Sequence, residues 1–271
     1  MQLKSFDEIT RTHRHIFLSP HFDDAIFSCG GTLSVQVSNG IRPLVITIFG
    51  GIPAADLQIS PFAQQINRQM AGGQIISPPA LVERRRQEDA SALDFLHCDY
   101  LWLDYHDAIY RGSPAYYTNN DQLIGGEVHS SDLWIDRQLA EDLLALQQRL
   151  PDTVWYAPLG VGRHVDHQIV SSAADRLIQR GAKVKLYEDF PYTLEEHALE
   201  TRMQEFGGTL EPNFVEMSEM LPLRIEASDR YASQIQLNFG GRAAMHNTME
   251  SYTHNIRPVQ TVHLERFWSP A

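Results

Sequence analysis

The chain has two cysteines in 271 residues, Cys29 and Cys98, and neither belongs to a CxxC pair. Neither a disulfide framework nor a zinc ribbon is supported, and a reducing, cytoplasmic setting is the expectation. Long apolar runs are also missing. No stretch nears the roughly 18 residues that a membrane-spanning helix needs. The opening segment, MQLKSFDEITRTHRH, is polar where a secretory signal would have its apolar core. Positive charge is scarce: 22 Lys and Arg face 34 Asp and Glu, for a formal net charge of -12. Nucleic acid is therefore excluded as a partner, because phosphate binding needs a basic footprint. The short cluster Arg84-Arg85-Arg86 reads as part of a helix. No internal repeat, low-complexity tract or long linker divides the chain.

The remaining composition, 43% hydrophobic and 21% charged, is that of a globular protein, and the length suits one large domain. Apolar runs predict strands at 15–19 (HIFLS), 43–49 (PLVITIF), 100–103, 153–157 (TVWYA) and 184–188 (VKLYE). Helical spacing falls at 25–39, 81–96, 131–150 and 166–180. Residues 52–80, rich in Pro, Gly, Gln and Ser, read as a long loop of the kind that forms flaps, and 104–126 as another loop. This alternation predicts an α/β fold: a Rossmann-like, doubly wound, mostly parallel sheet with helices on both faces. Residues 191–271 are less regular. They are expected to extend the same single domain, 1–271, with helices and a final strand or hairpin near 259–267. The sequence is compatible with a homo-oligomer and sets no oligomeric state.

Two short segments carry chemistry. Pro20-His21-Phe22-Asp23-Asp24 follows the first strand, and His164-Val165-Asp166-His167 follows the fourth. Ligands of doubly wound sheets sit beyond the carboxyl ends of the strands, so both segments are expected at one sheet edge. His21, Asp24 and His167 then offer two imidazoles and a carboxylate to one divalent metal. Three protein ligands with an open position describe a catalytic zinc site rather than a structural one. Asp23, beside the ligand Asp24, suits a general base acting on metal-activated water. His164 suits an oxyanion donor or an acid for the leaving amine, with Asp166 orienting it. The same donors also accept Fe2+. Gly30-Gly31 lacks the GxGxxG order of a phosphate loop and reads as a site of close helix packing.

At these residues the chain resembles the PIG-L/LmbE-like family of metal-dependent N-deacetylases, the N-acetylglucosaminyl deacetylase type. The family's first motif, (A/S)HPDDE or PHxDD followed by a GG pair, stands here as Ser19-Pro20-His21-Phe22-Asp23-Asp24-Ala25 with Gly30-Gly31. Its HxDH motif stands as His164-Val165-Asp166-His167. The resemblance covers about residues 15–190. It implies His21, Asp24 and His167 as metal ligands, Asp23 as base, and His164 as the oxyanion or acid group. It further implies a substrate arginine on the helix after the second strand, here Arg85 with Arg84 and Arg86 as competing registers, and a sugar-binding aspartate, Asp107. Ala25 departs from the usual acidic residue and Val165 from a common proline. The segment Tyr187-Glu188-Asp189-Phe190-Pro191-Tyr192, at the end of the fifth strand, is expected to line the sugar site, with Tyr187 and Glu188 offering the aromatic and carboxylate that glycan sites favour.

The implied activity is hydrolysis of an N-acetyl group on an N-acetylglucosamine-type amino sugar, with a small-molecule substrate. Amide hydrolysis of a thiol-glycoside conjugate is an alternative for the same centre. From other classes, His21-x-Asp23 with a distant histidine also fits a 2-His-1-carboxylate iron oxygenase, which is built on an all-β barrel. A non-catalytic sugar-binding relative would need neither Asp23 nor His164.

Overall fold

The structure is a computed structural model, and it describes residues 1–258 and 261–271. Its strands are β1 (His15–Ser19), β2 (Leu44–Thr47), β3 (Asp99–Trp102), β4 (Val154–Pro158), β5 (Lys183–Tyr187), β6 (Leu210–Glu216) and β7 (Leu264–Pro270). They form one sheet in the order β3-β2-β1-β4-β5-β7-β6. The first five are parallel, while β7 runs antiparallel to both β5 and β6. Strand residues alternate between two buried clusters. Ile16 and Leu18 enter one, and Phe17 enters the other. Both faces are covered, so the inner strands read as continuous apolar runs instead of alternating ones.

The helices are α1 (Asp24–Ser38), α2 (Pro61–Met70), α3 (Pro78–Phe95), α4 (Asn120–Leu123), α5 (Leu133–Arg149), α6 (Val165–Gln179), α7 (Ala198–Glu205), α8 (Leu221–Ser228), α9 (Ala232–Phe239) and α10 (Arg242–Asn255). The apolar residues of α5 and α6 fill one face of the sheet. Those of α1, α3 and α8 to α10 fill the other. The fold is therefore α/β and doubly wound, as the alternation predicts. Among the described residues, no helix is long and apolar enough to cross a membrane.

Two expectations need correction. The 52–80 segment is not a structureless loop, because α2 lies inside it. Ser60 caps that helix by accepting from the Ala63 amide at 3.1 Å, and Pro61 sits at its first position. Both are helix-start signals in a stretch whose polarity concealed them. The last strand begins at Leu264, later than expected, and pairs with β6 across three intervening helices, so no hairpin forms. Val259 and Gln260, the start of the expected strand, lie outside the described residues.

The glycine pair on α1 faces the C-terminal segment. A Cβ on Gly30 would stand 2.9 Å from Arg224 Cγ, and one on Gly31 would stand 2.7 Å from Met217 and 2.8 Å from Glu265. The amides of Gly31 and Thr32 donate to the Glu265 carboxylate at 2.8 and 2.7 Å. Arg224 pairs with Glu265 at 3.2 Å and also donates to the carbonyl of Phe27. Both side chains are fully buried. Close packing, not phosphate, explains the pair. Removing one partner of such an ion pair leaves an uncompensated charge in the core. Glu265→Ala is expected to lower unfolding free energy by about 3–5 kcal/mol in urea denaturation; a loss under about 1 kcal/mol, the value of a surface pair, would refute this account.

Candidate metal centre

The strand order reverses between β1 and β4, and both sequence motifs leave the sheet at that switch point. The turn after β1 carries His21 and Asp23, and Asp24 opens α1. The turn after β4 carries His164, which caps α6, and His167 lies in the first turn of that helix. All are buried. They surround a cavity of about 290 Å³ lined by His21, Asp23, Asp24, Arg85, Asp107 and His164 among others.

The Oδ2 atom of Asp24 lies 3.4 Å from His21 Nδ1 and 3.3 Å from His167 Nε2. Two ligands of one tetrahedral zinc, each bonded at about 2.0–2.1 Å, stand roughly 3.3–3.4 Å apart. The far ring nitrogens are committed. His21 Nε2 meets Asp166 Oδ2 at 2.9 Å, and His167 Nδ1 meets Asp189 Oδ1 at 2.7 Å. Carboxylates only accept, so each far nitrogen carries a proton, and each near nitrogen, facing Asp24, is the atom that would offer its lone pair once a metal replaces the second ring proton. His167 Nε2 is buried without a hydrogen-bond partner. Two imidazole nitrogens facing one carboxylate at this distance call for positive charge between them, a proton or a metal ion, and the carboxylate behind each imidazole is the usual support of a metal-binding histidine. The chain alone shows the same bias. Burial by itself would lower the pKa values of both histidines, but neighbouring carboxylates outweigh it. Asp107, Asp166 and Asp24 hold His21 well above its usual value, and Asp24 with Asp189 raises His167 to about 9.

His21, His164 and His167 also bring ring nitrogens within 4.8 Å of one another, as do donor atoms of His21, Asp107 and Asp166. The second group is already satisfied within the protein. Asp166 takes Arg111 at 2.6 Å and the Ala108 amide at 3.0 Å, while Asp107 faces Arg85 at 3.5 Å.

His164 Nδ1 accepts from the Asp166 amide at 3.2 Å, so the proton sits on Nε2. Burial, reinforced by His21, holds its pKa well below the usual value. The ring is thus a neutral donor on the cavity wall. The expected support of His164 by the Asp166 carboxylate is not found. That side chain points to His21 and Arg111, and only the backbone amide of Asp166 reaches His164. The helix start explains the difference: an N-cap residue receives amides from the first turn.

Of the three adjacent arginines, Arg85 enters the site. It reaches Asp23 at 3.0 Å and stacks over Phe22. Arg84 pairs with Glu88 at the surface, and Arg86 binds the Gly50 carbonyl over Trp102. Asp107 Oδ1 caps a short 3-10 turn, while Oδ2 faces Arg85. Burial and Asp24 raise the Asp23 pKa against the opposing pull of Arg85.

Tyr187 and Glu188 do not line the cavity. The Tyr187 hydroxyl donates to the Leu18 carbonyl inside the sheet at 2.8 Å. Glu188 is enclosed by Arg266, Trp268 and Tyr252. β7 pairs with β5 there and turns this end of the strand into interior. Asp189 of that segment does reach the site, behind His167. Tyr192, from the same expected segment, lines the cavity, whereas sequence reasoning missed Arg111 and the walls supplied by Ile66 and Met70 of α2 and by Gln234, Leu237 and Asn238 of α9. The capping pattern at Ser60-Pro61 was the available signal for α2; Asp189 was marked only by its place in the segment after the fifth strand, with nothing to point it at His167.

Fold and site together define a doubly wound α/β protein with a two-histidine, one-aspartate centre at its switch point. The family model described as PIG-L: GlcNAc-PI de-N-acetylase matches residues 16–178. The chain belongs to this family. It is 34% identical over 190 residues to a 2'-N-acetylparomamine deacetylase of Niallia circulans, covering 65% of this chain and 66% of that protein, just under two thirds of its length. It is 28% identical over 236 residues to the Streptomyces fradiae protein of the same name, covering 85% and 77%. Among solved structures, a deacetylase of the teicoplanin biosynthesis pathway aligns with TM-score 0.78 and 26% identity, covering 95% of this chain and 98% of that one.

Proposed function

We propose that this protein is a metal-dependent N-deacetylase that hydrolyses the acetamide of an N-acetylglucosamine-type amino sugar. The observation that carries the reading is Asp24 Oδ2 between the near ring nitrogens of His21 and His167, with Asp23 beside it on the cavity wall. The relatives named as deacetylases support the same reaction. His21, Asp24 and His167 would hold the ion, Zn2+ in preference to Fe2+, which supplies Lewis acidity at the scissile carbonyl. Asp23 takes a proton from the attacking water. His164 Nε2–H donates to the carbonyl oxygen as it gains charge. The carbon–nitrogen bond then breaks, the amine departs with the proton held by Asp23, and acetate remains. Arg85 positions Asp23, and Asp107 offers its carboxylate to sugar hydroxyls.

The reading takes residues 1–271 as one domain, since β6 and β7 complete the sheet and α9 walls the cavity. It places the protein in the cytoplasm, in keeping with two free, buried cysteines. An iron oxygenase of the barrel type loses its scaffold in this parallel sheet. A pure sugar binder would have no use for a base and a neutral donor side by side.

The wall chemistry narrows the substrate. Among the described residues, Arg85 is the one Lys or Arg lining the cavity, and it is engaged by Asp23 and Asp107. Asn120, Gln234 and Asn238 supply carboxamides, and Ile66, Met70, Leu123 and Leu237 supply apolar surface. No cation is free for a phosphate, so neutral or cationic amino sugars are the expected substrates. The test is acetate release from three sets of N-acetylated amino sugars: neutral glycosides, cationic aminoglycoside precursors and phosphorylated sugars. A thiol glycoside and a metal-depleted control complete it. The phosphorylated set is expected to show at least about tenfold lower kcat/KM. Absence of acetate from every compound, with Zn2+ and Fe2+ each restored, would overturn the assignment.

A further inference from the structure

The turn after β5 brings one more polar group to the cavity that the reaction above does not use. Tyr192 lines the same wall as His21, Asp23, Asp24 and His164. Its ring stands edge-on to His167, with centroids 5.3 Å apart and planes at 82°, and lies 6.5 Å from His164. Buried phenols normally find an acceptor inside the protein. Tyr110 donates to Asn67, Tyr117 to Asp132, Tyr187 to the Leu18 carbonyl and Tyr231 to Asp89. The hydroxyl of the half-buried Tyr192 has no hydrogen-bond partner among the described residues, although its ring packs against His167 and Gly162.

The backbone is shaped around this ring. Gly162, in the turn after β4, has φ +79°, and a Cβ there would stand 2.7 Å from Tyr192 Cβ and 2.8 Å from its ring. Any larger residue at 162 would push the tyrosine away from the centre. The other side of the turn is fixed by Asp189, which accepts from the amides of Gly160 and Val161 at 2.7 and 3.0 Å while supporting His167. One buried carboxylate therefore sets both the imidazole of a candidate ligand and the turn that packs against the phenol.

We propose that Tyr192 is a catalytic residue, whose hydroxyl donates a hydrogen bond beside that of His164 to the amide carbonyl oxygen as charge develops there. The inference rests on the N-deacetylase reading. A protonated phenol is a donor at neutral pH and needs no proton transfer for this role. Two preorganised donors on one oxygen act chiefly in the transition state, so their loss falls on kcat.

The test is Tyr192→Phe, which keeps the ring against His167 and Gly162, assayed on the substrate that the wild type turns over best. The expected result is a kcat reduced on the order of 10²-fold, with KM, bound metal per chain and melting temperature unchanged. Gly162→Ala, which displaces the ring, should lower kcat in the same direction. The double variant should be no slower than Tyr192→Phe alone, because both changes remove one interaction. An unchanged kcat overturns the proposal. So does a rise in KM with kcat retained, which marks ground-state binding. Loss of metal or of folding in the Phe variant assigns the tyrosine a supporting role and overturns it equally. An inactive wild type, by contrast, removes the deacetylase reading itself and leaves the variants unneeded.

Discussion

Asp23→Asn is expected to lower turnover by about 10²–10⁴-fold while the metal stays bound. The substitution is close to isosteric. Asp23 Oδ1 accepts from Arg85 at 3.0 Å, and the amide oxygen of asparagine can accept the same bond. What disappears is the ability to take a proton. Asp23 forms no hydrogen bond or ion pair with His21 Nδ1 or His167 Nε2, so the convergence of both rings on Asp24 is untouched. Single-turnover acetate release beside elemental analysis of the purified variant checks both halves. Full turnover would remove Asp23 from the base role, and loss of metal would move it into the ligand set.

Asp24→Ala should give the opposite pattern one residue away. Metal affinity is expected to fall by at least about 10²-fold, the upper end of what losing a mere support of a ligand costs, and activity should fall with it. The carboxylate is the atom that both imidazoles face, and it also accepts from the His21 amide at 2.7 Å, which shapes the turn itself. Titration with Zn2+ should therefore recover little activity even at high concentration, because the turn as well as the ligand has been altered. A variant retaining one metal per chain would exclude Asp24 as a ligand. Together the two variants would separate the proposed functions of the adjacent pair, metal holding by Asp24 and proton transfer by Asp23.

The sheet and its switch point were legible because each inner strand is an apolar run flanked by helical spacing, and because two chemically dense segments each follow a strand. The convergence of His21, Asp24 and His167 follows from that topology alone. The supports of the site were far less legible. Asp189 lies beyond a strand end among residues that looked equally suitable, and only the tertiary structure shows that β7 encloses Glu188 and Tyr187 while Asp189 turns inward. Asp166 was expected behind its sequence neighbour His164, yet it crosses to His21, 145 residues away. Sequence proximity misleads at a helix start, where the backbone amide and the side chain of one residue serve different partners. The apolar and carboxamide walls come from α2, α4 and α9, short helices whose burial depends on partners far along the chain, and beyond the Ser60-Pro61 cap of α2 little in their local pattern marks them as walls.

The Glu265–Arg224 pair has a consequence for how this protein can change. The family model ends at residue 178, yet the helix that begins with Asp24 is clamped at Gly31 and Thr32 by a side chain from β7. The region beyond the shared portion thus carries α9, which lines the cavity, and also the clamp on the helix that begins with Asp24. Grafting a new C-terminal region to alter substrate choice would release that clamp at the same time. Variation in specificity is constrained to substitutions on α9 that leave β7 and α8 seated, and a chimaera that ignores this should lose metal geometry before it gains a new sugar.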